Sequence, residues 1–135
     1  YYMDKFEHSR YWITSADHDL ETAETLFSSG KYDWCLFICH IVLEKGLKAL
    51  YVLKHDGEMP PKTHNLVRLA ELAETELKEE QIDLLDRIND FNIETRYPDY
   101  RLEFYKTCTK EFTSEYFKKA KELYTWIQSL NQSNQ

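Results

Sequence analysis

The fold is decided by residues 32–54, which read YDWCLFICHIVLEKGLKALYVLK. Apolar side chains fall at spacings of one, three and four, so on a helix they cover most of the circumference. A helix that is apolar nearly all round must be packed by neighbours on several sides. The sequence therefore predicts a central helix from about Tyr32 to Lys54, with the rest of the chain arranged around it.

The sequence on either side of this segment predicts further helices. An apolar stripe with a spacing of three and four residues begins at about Tyr11, and Gly30 stands where a helix C-cap favours a residue that tolerates positive φ. Gly57 and the pair Pro60-Pro61 break the pattern, and Thr63 can cap the next helix. We expect these helices at about 11–29, 63–75, 79–95 and 112–130, with a short irregular stretch at 99–106.

Composition supports a single helical domain. The chain has 135 residues, of which 42% are hydrophobic and only three are Gly and three Pro, too few for the many tight turns of a β-sandwich. No apolar run approaches the roughly 20 residues that cross a bilayer, so we expect no membrane contact. The prediction is an all-α, single up-and-down bundle of four to five helices over residues 11–130, with an N-terminal extension at 1–10 and a frayed tail at 131–135.

The net charge of −7 is unevenly distributed. Residues 71–95 hold 2 basic and 9 acidic side chains, whereas residues 96–135 hold 7 basic and 5 acidic ones. This balance disfavours broad RNA binding but permits a small anionic ligand outside the acidic segment. The acidic run is either a solvated face or a binding surface for a basic partner. Its members are Glu71, Glu74, Glu76, Glu79, Glu80, Asp83, Asp86 and Asp90.

The three cysteines indicate a cytoplasmic protein, because an odd set is not a secreted disulfide framework. Cys35 and Cys39 share a helix face and His40 follows, so a metal site is one interpretation. No second pair with ligand spacing is present. We therefore expect buried thiols and no metal ion.

A polar stripe crosses the central helix. His40, Glu44 and Lys48 recur every four residues, and in so apolar a helix each needs a partner, because an unpaired buried charge is costly. One interpretation is a structural network in which Glu44 bridges Lys48 across a turn. The other is the polar floor of a groove between helices, to which the neighbouring Lys45 could add charge.

A second polar group surrounds Pro98. Arginine forks match phosphates and tyrosine rings stack on bases, so this turn is typical of an anion or base-stacking site. Alternatively, Arg96 and Asp99 pair to hold the turn while the tyrosines pack. His64 is near enough to a helix start to join such a site. The group consists of Arg96, Tyr97, Asp99, Tyr100 and Arg101.

Five segments, taken in their order along the chain, resemble segments of HEPN domains, and together they span about residues 11–128. The first is Y-W-I-T-S-A-D-H-D-L-E-T-A-E-T-L at 11–26, followed by G-K-Y-D-W-C at 30–35. The others are C-H-I-V-L-E-K-G-L-K-A-L at 39–50, P-P-K-T-H-N-L at 60–66 and T-R-Y-P-D at 95–99. The resemblance implies a homodimer that works beside a minimal nucleotidyltransferase in a toxin–antitoxin or nucleotide-handling module. It also implies a fold similar to the helical C-terminal part of kanamycin nucleotidyltransferase-like enzymes.

The sequence departs from this family at its ribonuclease motif, an Arg followed after four to six residues by a His. Arg96 is followed by Y-P-D-Y-R-L-E-F-Y, without a histidine. The sequence also lacks the phosphate-loop, dinucleotide-binding, zinc-protease and hydrolase motifs. We therefore expect neither a catalytic residue nor a cofactor.

Three hypotheses follow. The first is a nucleotide-binding domain in which Arg96 contacts phosphate, His40 and His64 bond the ligand, and Glu44 orients Lys48. The second is a ribonuclease toxin with a rearranged site, and the third is a dimeric scaffold. The expected ligand-binding residues are His40, Glu44, Lys48, His64, Arg96, Tyr97 and Asp99.

Overall fold

A computed structural model of the protein describes residues 4–133, and within them the only regular elements are helices. This confirms the all-α fold, although the described chain forms six helices rather than four or five. Their bounds are α1 Lys5–Ser28, α2 Tyr32–Lys54, α3 Leu66–Leu72, α4 Glu79–Arg96, α5 Pro98–Thr107 and α6 Lys110–Ser133. None of the helices in this part of the chain is long and apolar enough to cross a bilayer.

The central position of α2 is confirmed, because this helix contacts each of the other five. Fifteen of its 23 residues are buried. Gly46 allows a close approach of α6, since a Cβ built there would lie 3.1 Å from Cε1 of Tyr124. The Tyr124 hydroxyl in turn donates to Oδ1 of Asp17 at 2.7 Å, which ties α1 to α6. Helices α1 and α6 therefore meet each other and α2 near the middle of α2.

Helix α1 begins six residues before its predicted start. The Asp4 carboxylate accepts a hydrogen bond from the Glu7 amide at 2.8 Å and caps the helix. Ser9 is fully buried, with its hydroxyl 2.9 Å from the Ala49 carbonyl and 3.1 Å from Oδ1 of Asn131. Residues 5–10 are thus part of the bundle and not an extension from it.

The last helix also ends later than the sequence predicts. Helix α6 continues to Ser133, and Asn131 is buried against Ser9 rather than frayed. Residues 134–135 of the expected tail lie outside the described residues.

Helix α3 is shorter than predicted. Its N-cap is Asn65, whose side-chain oxygen accepts from the Arg68 amide at 3.2 Å. The hydroxyl of Thr63, the cap that the sequence predicts, instead accepts from the Asn65 amide in the preceding turn. Helix α4, in contrast, begins at the predicted Glu79 and ends one residue beyond the predicted Thr95.

The stretch predicted to be irregular is helix α5. Proline disfavours the helical conformation in the residue before it, so Tyr97 is extended and α4 ends. The same proline suits the first position of a new helix, where its missing N–H needs no partner. Pro98 therefore ends one helix and begins the next, which turns the chain sharply after Arg96.

Candidate functional site

The polar stripe of α2 is buried as a unit. His40 is 1% exposed, and Glu44 and Lys48 are each 9% exposed. All three side chains project from consecutive turns of one helix, as the spacing of four residues predicts. The side chains that satisfy them come from α1, α4 and the loop that precedes α3.

Both ring nitrogens of His40 are engaged. Its Nε2–H donates to the His64 carbonyl at 2.8 Å, and its Nδ1 accepts from the Asn92 side-chain amide at 3.3 Å. Burial lowers the pKa of His40, although the His64 carbonyl and the nearby Glu44 oppose this shift. His40 is therefore neutral at physiological pH and has no ring nitrogen left for a ligand.

Glu44 uses both carboxylate oxygens. Oε1 accepts from Nδ1–H of His64 at 2.7 Å, and Oε2 accepts from the Lys48 ammonium at 3.1 Å. The Lys48 ammonium also lies 5.4 Å from the centre of the Trp12 ring. The expected Glu44–Lys48 bridge is confirmed, and Trp12 is a partner that the sequence did not indicate.

The side chain of His64 is the exposed member of this group. It is 59% accessible to solvent, in contrast to that of His40. The loop after α2 reverses through Asp56 and Gly57, both at positive φ, and returns along α2 as far as His64. Two contacts hold His64 there, its carbonyl to His40 and its ring to Glu44.

Helix α4 brings Arg96 to the same place. Asn92, which bonds His40, lies one helical turn before Arg96, so the two side chains share a face of α4. The charge of Arg96 acts on His40 and contributes to its lowered pKa. Arg96 is exposed and makes no ion pair with any residue between 4 and 133.

Tyr97 and Asp99 lie at the junction of α4 and α5. Tyr97 is 56% exposed, and its carbonyl accepts from the amides of Tyr100 and Arg101 at 3.1 Å each. The pair between Arg96 and Asp99, which one of the two interpretations of this turn requires, is absent from the described part of the chain. The turn is held instead by Arg101, whose guanidinium donates to the Thr95 carbonyl at 3.1 Å.

Arg101 is a structural residue rather than a free anion-binding group. Its Cζ lies 4.3 Å from the centre of the Trp34 ring, so the guanidinium stacks on α2. Lys45 is likewise engaged, with its ammonium 2.6 Å from Oδ2 of Asp19. The sequence places both cations near the site, but each binds a neighbouring helix.

Asn92 is the site residue that sequence reasoning missed. It is 7% exposed and lies on an α4 face that otherwise buries Ile88 and Phe91. A polar residue within such a stripe is the signal that points to a buried partner.

The cysteines are buried and form no disulfide, as expected for Cys35, Cys39 and Cys108. A hydrogen bond with Cys35, together with burial, raises the pKa of Cys39. Burial raises the pKa of Cys108 to about 12. The thiols of Cys39 and Cys108 therefore stay protonated at neutral pH and are poor nucleophiles. Residues 4–133 hold no group of three or more His, Cys, Asp or Glu side chains arranged for a metal ion.

The site thus has two parts. The buried polar network consists of His40, Glu44, Lys48 and Asn92, whose partners are one another, the backbone and the ring of His64. The exposed edge consists of His64, Arg96 and Tyr97, which the network and the α4–α5 junction hold at the surface. The edge offers a cation, a histidine and an aromatic ring to solvent.

The fold and the site define a small all-helical domain with a polar stripe through its central helix. A family model for the HEPN domain matches residues 9–130. The chain belongs to the HEPN domain family, which confirms the resemblance seen in the sequence.

Two solved structures are similar to this chain. TT1696 from Thermus thermophilus superposes with a TM-score of 0.75 at 22% identity, over 90% of this chain and 97% of that one. ST0689, described as an archaeal HEPN homologue, superposes with a TM-score of 0.73 at 23% identity, over 91% and 97%. At these identities the likeness shows the fold. No curated protein matches the sequence.

Proposed function

We propose that the domain binds a nucleotide at the exposed edge and has no catalytic activity of its own. The observation that carries this proposal is that Arg96 is exposed and has no carboxylate partner within residues 4–133. It lies beside the exposed Tyr97 and near His64, whose ring is held by Glu44. A guanidinium fork binds phosphate oxygens in pairs, which an ammonium group cannot do.

Each residue of the exposed edge, and the neighbouring Asp99, has one role in this proposal. Arg96 contacts the phosphates, and the ring of Tyr97 stacks on the base. The Nδ1 of His64 is held by Glu44, so its Nε2 is directed away from that carboxylate and bonds the ligand. Asp99, two residues beyond Tyr97 in the first turn of α5, accepts from the sugar or the base.

The buried polar network positions the exposed edge. His40 holds the backbone of His64, Glu44 holds its ring, and Lys48 balances the charge of Glu44. We therefore revise the direct ligand contact expected for His40, since both of its ring nitrogens have partners. Glu44 and Lys48 likewise act through His64.

The family resemblance favours a minimal nucleotidyltransferase as the partner that supplies the chemistry, in a toxin–antitoxin or nucleotide-handling module. To find a nucleotidyltransferase gene beside the gene for this chain would support that partnership. Failure of the two purified proteins to form a complex, with or without nucleotide, contradicts it.

The same resemblance favours a homodimer. Several large apolar side chains of the α4–α5 region are exposed, and such patches mark association surfaces. Leu102 and Tyr105 are 61% and 64% exposed. Sedimentation should show a dimer that Leu102→Glu with Tyr105→Glu dissociates. Met59→Glu, at an apolar position elsewhere that is 72% exposed, should leave the dimer intact. A monomeric wild type contradicts the proposal.

The thermal unfolding of the protein tests nucleotide binding directly. A ligand that binds only the folded state raises the melting temperature as its concentration increases above Kd. ATP and GTP are titrated to millimolar concentration against the wild type and against Arg96→Ala. We expect a saturable rise for the wild type with at least one nucleotide and no rise for the variant.

Arg10→Ala is the matched control, since Arg10 is an exposed arginine of α1 outside the site. This variant should respond as the wild type does. No shift in the wild type contradicts nucleotide binding, and equal loss in Arg10→Ala contradicts the assignment to Arg96.

A rearranged ribonuclease is a second candidate, because Arg96, His64 and His40 do lie together. Only His64 of the two histidines is exposed enough to exchange a proton with substrate. Purified protein is incubated with RNA and EDTA. Cleavage that is lost in His64→Ala supports this candidate, and intact RNA contradicts it.

A further inference from the structure

A groove separates the first half of α4 from the middle of α6. The two helices touch where Phe91 meets Tyr116 and Phe112, with ring centres 5.3 and 6.0 Å apart. Away from that contact they enclose a groove of about 600 Å³. Its apolar lining consists of Leu84, Tyr116, Leu123 and Trp126. We call it the α4–α6 groove.

The rim of the α4–α6 groove is negatively charged. Glu80, Asp83 and Glu122 line it, and each is exposed. Between residues 4 and 133 none of the three has an ion pair. Their carboxylates are therefore available to an incoming cation.

The two cations of the groove are already neutralised. Lys119 pairs with Glu115 at 3.3 Å, and Arg87 lies 3.5 Å from Glu94 and 3.8 Å from Asp90. Arg87 also lies over Phe91, with its Cζ 4.7 Å from the ring centre. The charge that the groove presents to a partner is that of its three carboxylates.

We propose that the α4–α6 groove binds a basic amphipathic helix of a partner protein. Two neighbouring helices that diverge leave a hollow into which the apolar face of a third helix fits. Apolar side chains of the partner cover Trp126, Tyr116 and Leu84. Its lysines and arginines pair with Glu80, Asp83 and Glu122.

The charge selects this occupant over the alternatives. A second copy of the chain that docked by a two-fold axis would place the same acidic rim against itself. Nucleic acid phosphates are repelled by the same carboxylates. A partner helix with an apolar stripe and flanking positive charge complements both the apolar lining and the acidic rim of the groove.

The groove is separate from the exposed edge. Glu80 and Arg96 are at opposite ends of α4, about 24 Å apart along its axis. No residue belongs to both surfaces. The proposal therefore does not depend on nucleotide binding, and the two fail independently.

The test uses a synthetic helical peptide of about 18 residues, or about 27 Å, built from leucine and lysine with one apolar face. A leucine–glutamate peptide of the same pattern is the peptide control. Binding is followed by calorimetry and by the indole N–H signal of Trp126 in NMR spectra. We expect the lysine peptide to bind saturably and to shift that signal, and the glutamate peptide not to bind.

Two triple variants locate the site. Glu80→Gln, Asp83→Asn and Glu122→Gln together should weaken binding by at least about tenfold. Glu74→Gln, Glu76→Gln and Asp86→Asn remove the same charge from residues that do not line the groove. This control should change the affinity by less than about twofold.

Several outcomes overturn the proposal. Equal weakening by both triple variants shows that the peptide senses only the net charge. Binding of both peptides shows nonspecific apolar contact. A second copy occupies the groove if the Trp126 signal depends on protein concentration and the peptide does not bind. No binding of the lysine peptide also contradicts the proposal.

Discussion

The buried polar network and the exposed edge contain similar residues in opposite surroundings. Each has a histidine and a cation, but the network provides partners for its charges, whereas Arg96 at the edge has no ion pair within residues 4–133. Removal of one partner inside the bundle leaves a charge that water cannot solvate fully. Removal of the Arg96 or Tyr97 side chain at the exposed edge leaves no buried charge without a partner. We therefore expect the network to determine stability and the edge to determine binding.

The largest expected effect on stability is that of Glu44→Ala. This change leaves the Lys48 ammonium buried without a carboxylate and releases the ring of His64. Loss of one partner from a buried pair costs about 3 kcal/mol of the free energy of unfolding. Urea denaturation followed by circular dichroism measures it.

A double substitution separates the effect of the buried charges of Glu44 and Lys48 from the effect of the side-chain volume that is lost in Glu44→Ala. Glu44→Leu with Lys48→Met removes both charges and keeps apolar volume in the bundle. This variant should be more stable than Glu44→Ala. If both variants are equally unstable, the buried charge is not the cause.

The next effect is the dependence of stability on pH. Burial lowers the pKa of His40, so the unfolded chain binds a proton that the folded one does not. The stability contributed by neutral His40 is present above the unfolded pKa of about 6.5 and is lost as the pH falls below it. The loss is up to about 1.4 kcal/mol per pH unit.

Denaturation at about pH 7.5 and about pH 5, on either side of the unfolded pKa, compares the wild type with His40→Gln. The glutamine does not titrate, so its variant should lose less stability across this interval, although its stability at the higher pH is lower. Equal losses in the two proteins would assign the acid sensitivity to other groups.

The smallest effect on stability is that of Arg96→Ala. An exposed side chain without a partner in the described residues changes the free energy of unfolding by about 0.5 kcal/mol or less. The same urea denaturation measures it beside Glu44→Ala. A loss as large as that of Glu44→Ala would place Arg96 in the structural network and remove the contrast between the two regions.

The helices whose bounds the sequence predicts well are flanked by helix-breaking residues. Helix α2 has the predicted bounds because its apolar pattern begins after Gly30 and stops before Gly57. Helix α5 has Pro98 at its start but lacks an apolar stripe, because Phe104 is its one buried residue. The start of α1 is hidden because the first buried residues there, His8 and Ser9, are polar.

The site is predictable where it follows helical spacing. His40, Glu44 and Lys48 form one stripe, and that spacing is local. The position of His64 depends on how the loop at 55–65 returns along α2, which no local pattern records. The missing Arg96–Asp99 pair has a similar cause, since Pro98 begins a new helix and changes the direction of the chain between them.

The most direct test of the account is an NMR titration of the protein with the nucleotide that gives the larger thermal shift. We predict saturable changes centred on the backbone amides of Arg96 and Tyr97 and on the ring of His64, with His40 still neutral. Saturable changes centred on Trp12 and Lys48, or protonation of His40 on binding, would place the ligand in the buried network and contradict the division between the two regions.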